Sequence, residues 1–430
     1  MRQSGPSNPK GIFILPDSDY PKLRNVEFVP TSVGGKEGLV LRDPFLYSDR
    51  IIFVPREVVG VIQFFDGTKT YRDIQEEIFR LSGSLVDAED IKKVAHELDR
   101  SHYLVSESFL KRKRRVQDDF FGSPVRRPAH AGAGYRDEPD ELAAELASYF
   151  AGIATEAPKD GAVQGGLAAA IAPHISINAG GPCFARVYEA VKSAGPADLY
   201  VILGTGHAGI EELFAGTKKD FETPLGVAPT DRAFMDDLSR RFSDRLFGGE
   251  MLHRTEHTIE FQTVFLKYVF GDKPFAIAPI LASFSHTIFA HDRFSGVRAV
   301  AEEFIAALKG AIAAYPGRAV LVASVDFAHV GPKYGDENPP TEDEIERVKE
   351  RDRRMIEIIA AGDAKGFLAH IAEDDDRRRV CGFPAIYTML SVLSGATGRL
   401  VSYDSTVMDE ANSTVTFAGM VFDSPTPKGT

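Results

Sequence analysis

Three apolar runs of strand length, "LAAAIAPH", "DLYVILGTGH" and "AVLVASVDFAH", each end within a few residues in a histidine: His174, His207 and His329. Helical stretches such as "FARVYEAVKS", "EHTIEFQTVFLKYVF" and "VRAVAEEFIAALKGAIAAY" lie between or beside them. Strands alternating with helices predict an α/β fold, a largely parallel sheet covered on both faces. In open sheets of this kind ligands bind beyond the carboxyl ends of the strands. The three histidines are therefore expected to converge. One histidine after a strand is most often a satisfied polar residue; three such endings in one domain shift the balance towards a site.

The chemistry available there follows from the neighbouring residues. Asp326 precedes His329 in "SVDFAH" and could orient an imidazole or bind a metal, although the same turn is ordinary loop chemistry. Two neutral imidazoles and one anion are the usual minimum for a divalent transition metal with open positions. Cys381 could supply that anion. It opens the apolar stretch "CGFPAIYTMLSVL", whose spacing is helical, and a helix start lowers a thiol pKa. The residue could equally be an inert small hydrophobe or a nucleophile with His329 as its base, as in a hydrolase. Cys183, in "AGGPCFARVYEAV", reads as core.

In "HRTEHTIEFQTVFLKYVF", His253 and His257 are four apart, but Glu256 is misplaced for a zinc-protease base. Ile259, Val264, Phe265 and Tyr268 form a face that must pack. Glu256 and His257, at the helix start, are expected to reach the site, and Glu260 reads as a surface charge or a supporting carboxylate. "GTGHAG", Gly204 to Gly209, fits a dinucleotide-binding spacing, but the sequence after it breaks up instead of continuing as a long helix. Its glycines are expected to let the backbone bend so that His207 faces the site.

The chain has 430 residues, enough for two or three domains, and a net charge of −12 that argues against a nucleic-acid binder. Two cysteines fit a reducing compartment, no continuous apolar segment opens the chain, and no stretch approaches the length of a membrane span. A soluble cytoplasmic protein is the expectation. Residues 1 to 110 read as a separate α+β unit of winged-helix size. Within it, β-rich runs in "KEGLVLRDPFLYSDRIIFVP" form a hairpin, "REVVGVIQFF" is a buried helix, and two helices and a closing strand follow. From Lys111 to about residue 125 basic residues take over and periodicity is lost, as in a linker.

At these residues the chain resembles the Memo family, in the form found in AmmeMemoRadiSam systems. "HAGAGYRDEPDELAAELASYF", "IAPHISINAGGPCFARVYEAV", "LGTGHAG", "FETPLG", "EHTIEFQ", "VASVDFAHVG", "CGFPAIYTML" and "STVTFAGMVF" follow in family order from about Arg126 to Ser424. The resemblance implies a fold similar to class III extradiol dioxygenases, which use non-haem Fe(II). It places His174, His207 and Cys381 on the metal-ligand positions, and Asp326 and His329 on the remaining pocket positions, with His329 as acid/base. The implied ion is Fe(II) or copper, with zinc also accommodated, and the implied chemistry is redox or oxygenase-type. Departures stand at Ile175, Ser176 and Ile177, where the family has Ala-Gly-Tyr, and at Ala208 and Val330. The segment from about Glu37 to Ser108, with "REVVGVIQFFDGTKTYRDIQEEI", resembles PqqD-like domains. This implies a peptide, a radical-SAM enzyme or an Ammecr-type protein as partner. A non-catalytic role as the metal- or peptide-binding partner of a radical-SAM enzyme is the alternative to an enzyme.

Overall fold

The computed structural model describes residues 19–154, 166–209, 211–393 and 395–424. The amino-terminal stretch read above for a secretory signal lies outside the described residues. The chain divides into two compact units, Met1–Gly122 and Ser123–Thr430.

The first unit is α+β. Strands β1 (Glu27–Val33), β2 (Lys36–Arg42) and β3 (Ile52–Pro55) form an antiparallel sheet. β2 and β3 are the expected hairpin. β1, not foreseen, joins β2 through Gly34 and Gly35, both in the left-handed region (φ 58° and 77°) that glycine enters without strain. Helices α1 (Arg56–Ile62), α2 (Tyr71–Ser82) and α3 (Ala88–Arg100) follow. Thr70 and Asp73 make a reciprocal cap on α2, and Asp87 caps α3. The unit has its own core, with Leu41, Ile62, Ile74, Ile91 and Tyr103 packed together. The expected closing strand is reduced to a single bridge between Leu23 and Leu104. The basic stretch expected to be a linker is a helix instead, α4 (Glu107–Gly122). Phe109, Val116 and Phe120 are buried along it, while Lys111 pairs with Glu107 one turn back. Lys111 to Arg115 hide that periodicity because five basic residues in a row carry no apolar spacing, although Arg112 and Lys113 are partly buried and Arg112 Nε donates to the Tyr47 carbonyl.

The second unit is built on one sheet. Its elements are β4 (Val125–Arg126), α5 (Pro139–Ala154), β5 (Leu167–Ala172), α6 (Ile177–Ser193), β6 (Leu199–Thr205), β7 (Phe214–Gly216), β8 (Asp220–Thr223), β9 (Gly226–Ala228), α7 (Arg232–Arg241), α8 (Thr258–Phe270), β10 (Ala276–Ala282), α9 (Thr287–Ala290), α10 (Ser295–Ala314), β11 (Ala319–Ser324), β12 (His329–Val330), α11 (Glu342–Ala360), α12 (Ala364–Ala372), α13 (Phe383–Val392), β13 (Thr397–Val407) and β14 (Thr414–Asp423). The strand order is β12-β14-β5-β11-β6-β10-β7, with β13 also on β14. The expected parallel sheet holds only in the centre, β5-β11-β6-β10; β14 and β7 flank it antiparallel. A carboxyl-terminal hairpin closes one side, a connection that needs no crossover helix.

Alternate residues of the central strands, among them Ile171, Leu199, Val201, Leu203, Leu321 and Ala323, face a core shared with α7 and α10–α13. α6 packs against β5, β13 and β14, and α8 against β6 and α6. Both faces are thus covered, and the central strands read as continuous apolar runs for that reason. Cys183, on α6, is buried beside Ile175, Val415 and Phe417, as expected of a core residue. Among the described residues no helix is long and apolar enough to cross a membrane.

One buried ion pair ties the start of this unit to α8. Arg126 pairs with Glu260 and donates to the carbonyls of His253 (2.8 Å) and Glu256 (2.9 Å). Glu260 also accepts from Ala129 N, His130 N and the Tyr135 hydroxyl. Glu260 is fully buried, so it is not the surface charge that was one of the two expectations for it. Burial alone would raise its pKa, but Arg126, His130 and Tyr135 outweigh that and hold it below the usual carboxylate range.

Glu260→Ala strands the Arg126 charge and should cost about 3–5 kcal/mol in denaturant unfolding. Because the folded pKa is depressed, the pair's contribution is full above the unfolded carboxylate pKa of about 4.3. The contribution is lost as pH falls through the folded value. The stability gap between wild type and Glu260→Ala should therefore narrow below about pH 4.

Candidate metal centre

β5, β11 and β6 are neighbours whose carboxyl ends lie nearly level, with Ala172 opposite Ser324 and Ser324 opposite Gly204. His174 leaves β5 two residues on, Asp326 leaves β11 two residues on, and His207 leaves β6 two residues on. The expected convergence is present, but the third imidazole in the cluster is His257, not His329. The ligand atoms of His174, His207 and His257 lie within 4.8 Å of one another. The ring centroids are 5.0, 5.1 and 5.4 Å apart.

Each ring is turned by a partner on its Nδ1. His174 Nδ1 lies 2.9 Å from the Ser324 carbonyl, an acceptor only, so the proton sits there and Nε2 carries the lone pair. Glu256 approaches His207 Nδ1 at 3.1 Å and His257 Nδ1 at 3.0 Å, and accepts from the backbone N–H groups of both residues. One carboxylate thereby sets two rings, which lie within 11° of parallel. Burial and the two facing imidazoles push the His174 pKa well below its ordinary value. For His207, burial lowers the pKa, but Glu256 and the Cys381 thiol together hold it well above the ordinary value. Glu256 is the converse: burial raises it, and its two histidines bring it well below.

Cys381 completes the cluster. Its sulfur lies 3.2 Å from His174 Nε2 and 3.6 Å from the Asp326 carbonyl. The cysteine precedes α13 rather than starting it, since Gly382 is the cap residue. The expected lowering of the thiol pKa does not occur: burial pushes it up, against the opposing hydrogen bond with His207. The imidazoles in contact with the sulfur are His174 and His207, and no contact with His329 is present among the described residues. A Cys381–His329 nucleophile pair is not assembled.

Asp326 is buried. Its Oδ1 accepts from His174 N (3.0 Å) and Ile175 N (3.1 Å), and Oδ2 stands 3.7 Å from His174 Nε2. Burial raises its pKa to about 6. His329, on β12, places Nδ1 at 3.1 Å from the carbonyls of Phe327 and Arg379, which fixes its proton on that nitrogen. Burial lowers its pKa to about 4, so it is neutral at pH 7. The Tyr334 ring meets it edge-on at 4.9 Å, a neighbour the sequence did not indicate. His253 is away from the cluster, bonded to the Ala215 carbonyl in a tight turn.

The glycine-rich stretch serves packing. A Cβ at Gly204 would lie 2.4 Å from Thr258 Oγ1 and 2.9 Å from Ile259, so Gly204 lets α8 start against β6. Gln262, on α8, donates to the Pro173 carbonyl and Ser324 Oγ and accepts from Tyr188. These contacts bring Glu256 and His257 to the strand ends. No long helix follows "GTGHAG"; β7, β8 and β9 do.

The donor set suits a transition ion: imidazoles with outer partners on Nδ1, and a thiol against His174 Nε2. A sequence profile of the Memo-like protein family matches residues 126–421. The chain belongs to the Memo family. A MEMO1 family protein of Aquifex aeolicus is 28% identical over 405 residues, 94% of this chain and 99% of that protein. One from Thermus thermophilus is 25% identical over 78% of this chain, and one from Methanopyrus kandleri is 28% identical over 69%. Coverage of 94% means that the Aquifex protein shares sequence with the first unit of this chain as well as the Memo unit.

Glu256→Gln should lower metal affinity about 10–100-fold, measured by competition with a chelating indicator, because a neutral amide holds His207 and His257 less firmly. The far-ultraviolet circular dichroism spectrum should be unchanged.

Proposed function

We propose that the Memo unit holds one divalent transition ion on His174, His207 and Cys381 and uses it in redox, oxygenase-type chemistry. The observation that carries this reading is the pair of strand-end imidazoles, each with Nδ1 engaged, turned towards one another and towards the only thiol at the strand ends. A mixed imidazole–thiolate set suits iron(II), copper or zinc, and redox chemistry selects iron or copper. Bound there, such an ion supplies one-electron chemistry and Lewis acidity to a small polar substrate. His329, neutral with Nε2 unprotonated, is placed to accept a proton, and Asp326 holds the backbone of His174 and Ile175 in position. Replacing His174, His207 and Cys381 together with alanine should abolish stoichiometric metal in anaerobically purified protein, by elemental analysis, and leave the fold intact. Retention of one equivalent at the same affinity would show the ligands to be elsewhere. His329→Ala should keep most of the metal and lose oxygen uptake. Absence of uptake by the metal-loaded wild type would favour the non-catalytic role.

The first unit is read as a PqqD-like recruiting domain in the cytoplasm. The partner is a peptide, or a radical-SAM enzyme or Ammecr-type protein of an AmmeMemoRadiSam-type system. Its separate core supports independent folding. Among the described residues β1 pairs only with β2, which leaves its other edge for an added strand. A fragment of residues 1–122 should be soluble, give dispersed amide signals and capture a partner that residues 123–430 do not. A folded fragment with no partner would count against recruitment.

A further inference from the structure

We infer that His257 is a protein ligand of the same ion, so that the centre is built from three imidazoles and one thiolate instead of two and one. This rests on the metal-centre reading above and changes its donor count.

The case is geometric. His257 is the cap residue of α8, yet its side chain makes no capping bond, so it is not spent on the helix. Its Nδ1 is taken by Glu256 at 3.0 Å, and Nε2 has no hydrogen-bond partner among the described residues. The ring lies nearly parallel to that of His207, and the same carboxylate holds both through Nδ1, so both Nε2 atoms face away from Glu256. His174 faces them at 72° and 78°, with Nε2 also unprotonated. The ligand atoms of the three imidazoles lie within 4.8 Å of one another, and a shared cation is what makes that crowding of donors favourable. Cys381 Sγ, 3.2 Å from His174 Nε2, stands against this cluster as the fourth donor. Four donors satisfy the tetrahedral preference of zinc and leave expansion to five for a substrate atom. His257 is half-buried and His207 more open, so that atom enters from their side.

Cobalt(II), loaded anaerobically into the metal-free full chain, tests this. The wild type should show the visible bands of a four-coordinate ion and one thiolate charge-transfer band in the near ultraviolet. His257→Ala should keep the thiolate band, lose visible intensity as water enters, and bind cobalt more weakly by over about 100-fold, beyond the cost of losing an outer partner. His257→Cys should restore the visible bands and add a second thiolate contribution, which a merely structural residue would not do. An unchanged spectrum and affinity in His257→Ala overturns the inference and leaves the three-donor centre standing. No cobalt bound by the wild type overturns the metal-centre reading, and this inference with it.

Discussion

The Glu256 carboxylate is the interaction on which the site depends. It is buried, ionised and shared between two imidazoles, and it can be so only because α8 begins hard against β6. That closeness needs Gly204, which has no Cβ to meet Thr258, and Gln262, which bolts α8 to Pro173 and Ser324. It also needs the Arg126–Glu260 pair one turn further along, which holds residues 126–135 over the same helix end. A buried charge pair of this kind adds little net stability over an apolar pair, but losing one member is costly. Its effect here is positional: Arg126 donates to the Glu256 carbonyl itself.

The opposite side of the site is held by a second polar network. Arg378 pairs with buried Asp352, which also accepts from Tyr403 and Thr416. Arg379 bonds Asp336 and the His329 carbonyl, and the Arg378 carbonyl accepts from His329 N at 2.6 Å. Asp375, Asp376 and Arg379 sit in the left-handed region (φ 54°, 52° and 51°), where non-glycine residues are strained and persist only when their surroundings over-determine them. The loop that delivers Cys381 is therefore fixed by the same contacts that place His329. A Cβ at Gly382 would lie 2.6 Å from Val325, so the loop also needs a glycine to close on β11.

Much of this was legible before any coordinates. Apolar runs of strand length, each followed by a histidine, reported both the central sheet and the strand ends at which His174 and His207 meet, because parallel strands deliver their carboxyl ends to one edge. Other features were hidden for physical reasons. Lys111 to Arg115 look like a linker because a helical turn of basic residues has no apolar periodicity, although Phe109, Val116 and Phe120 flank it. Glu260 reads as a surface charge because its partner, Arg126, is 134 residues away. The Cys381 pKa was misjudged because helix proximity is local, whereas burial is decided by the whole fold.

By itself the sequence determined the class of fold, the parallel strands at its centre and the residue types able to reach their ends, since periodicity, apolar length and chain punctuation are properties of neighbours along the chain. Only the tertiary structure decided that His257 and not His329 joins the strand-end histidines, that one carboxylate orients two rings, and that the thiol is buried against them. Those outcomes depend on which helix end packs on which strand end, and that is settled by contacts between residues far apart in the chain.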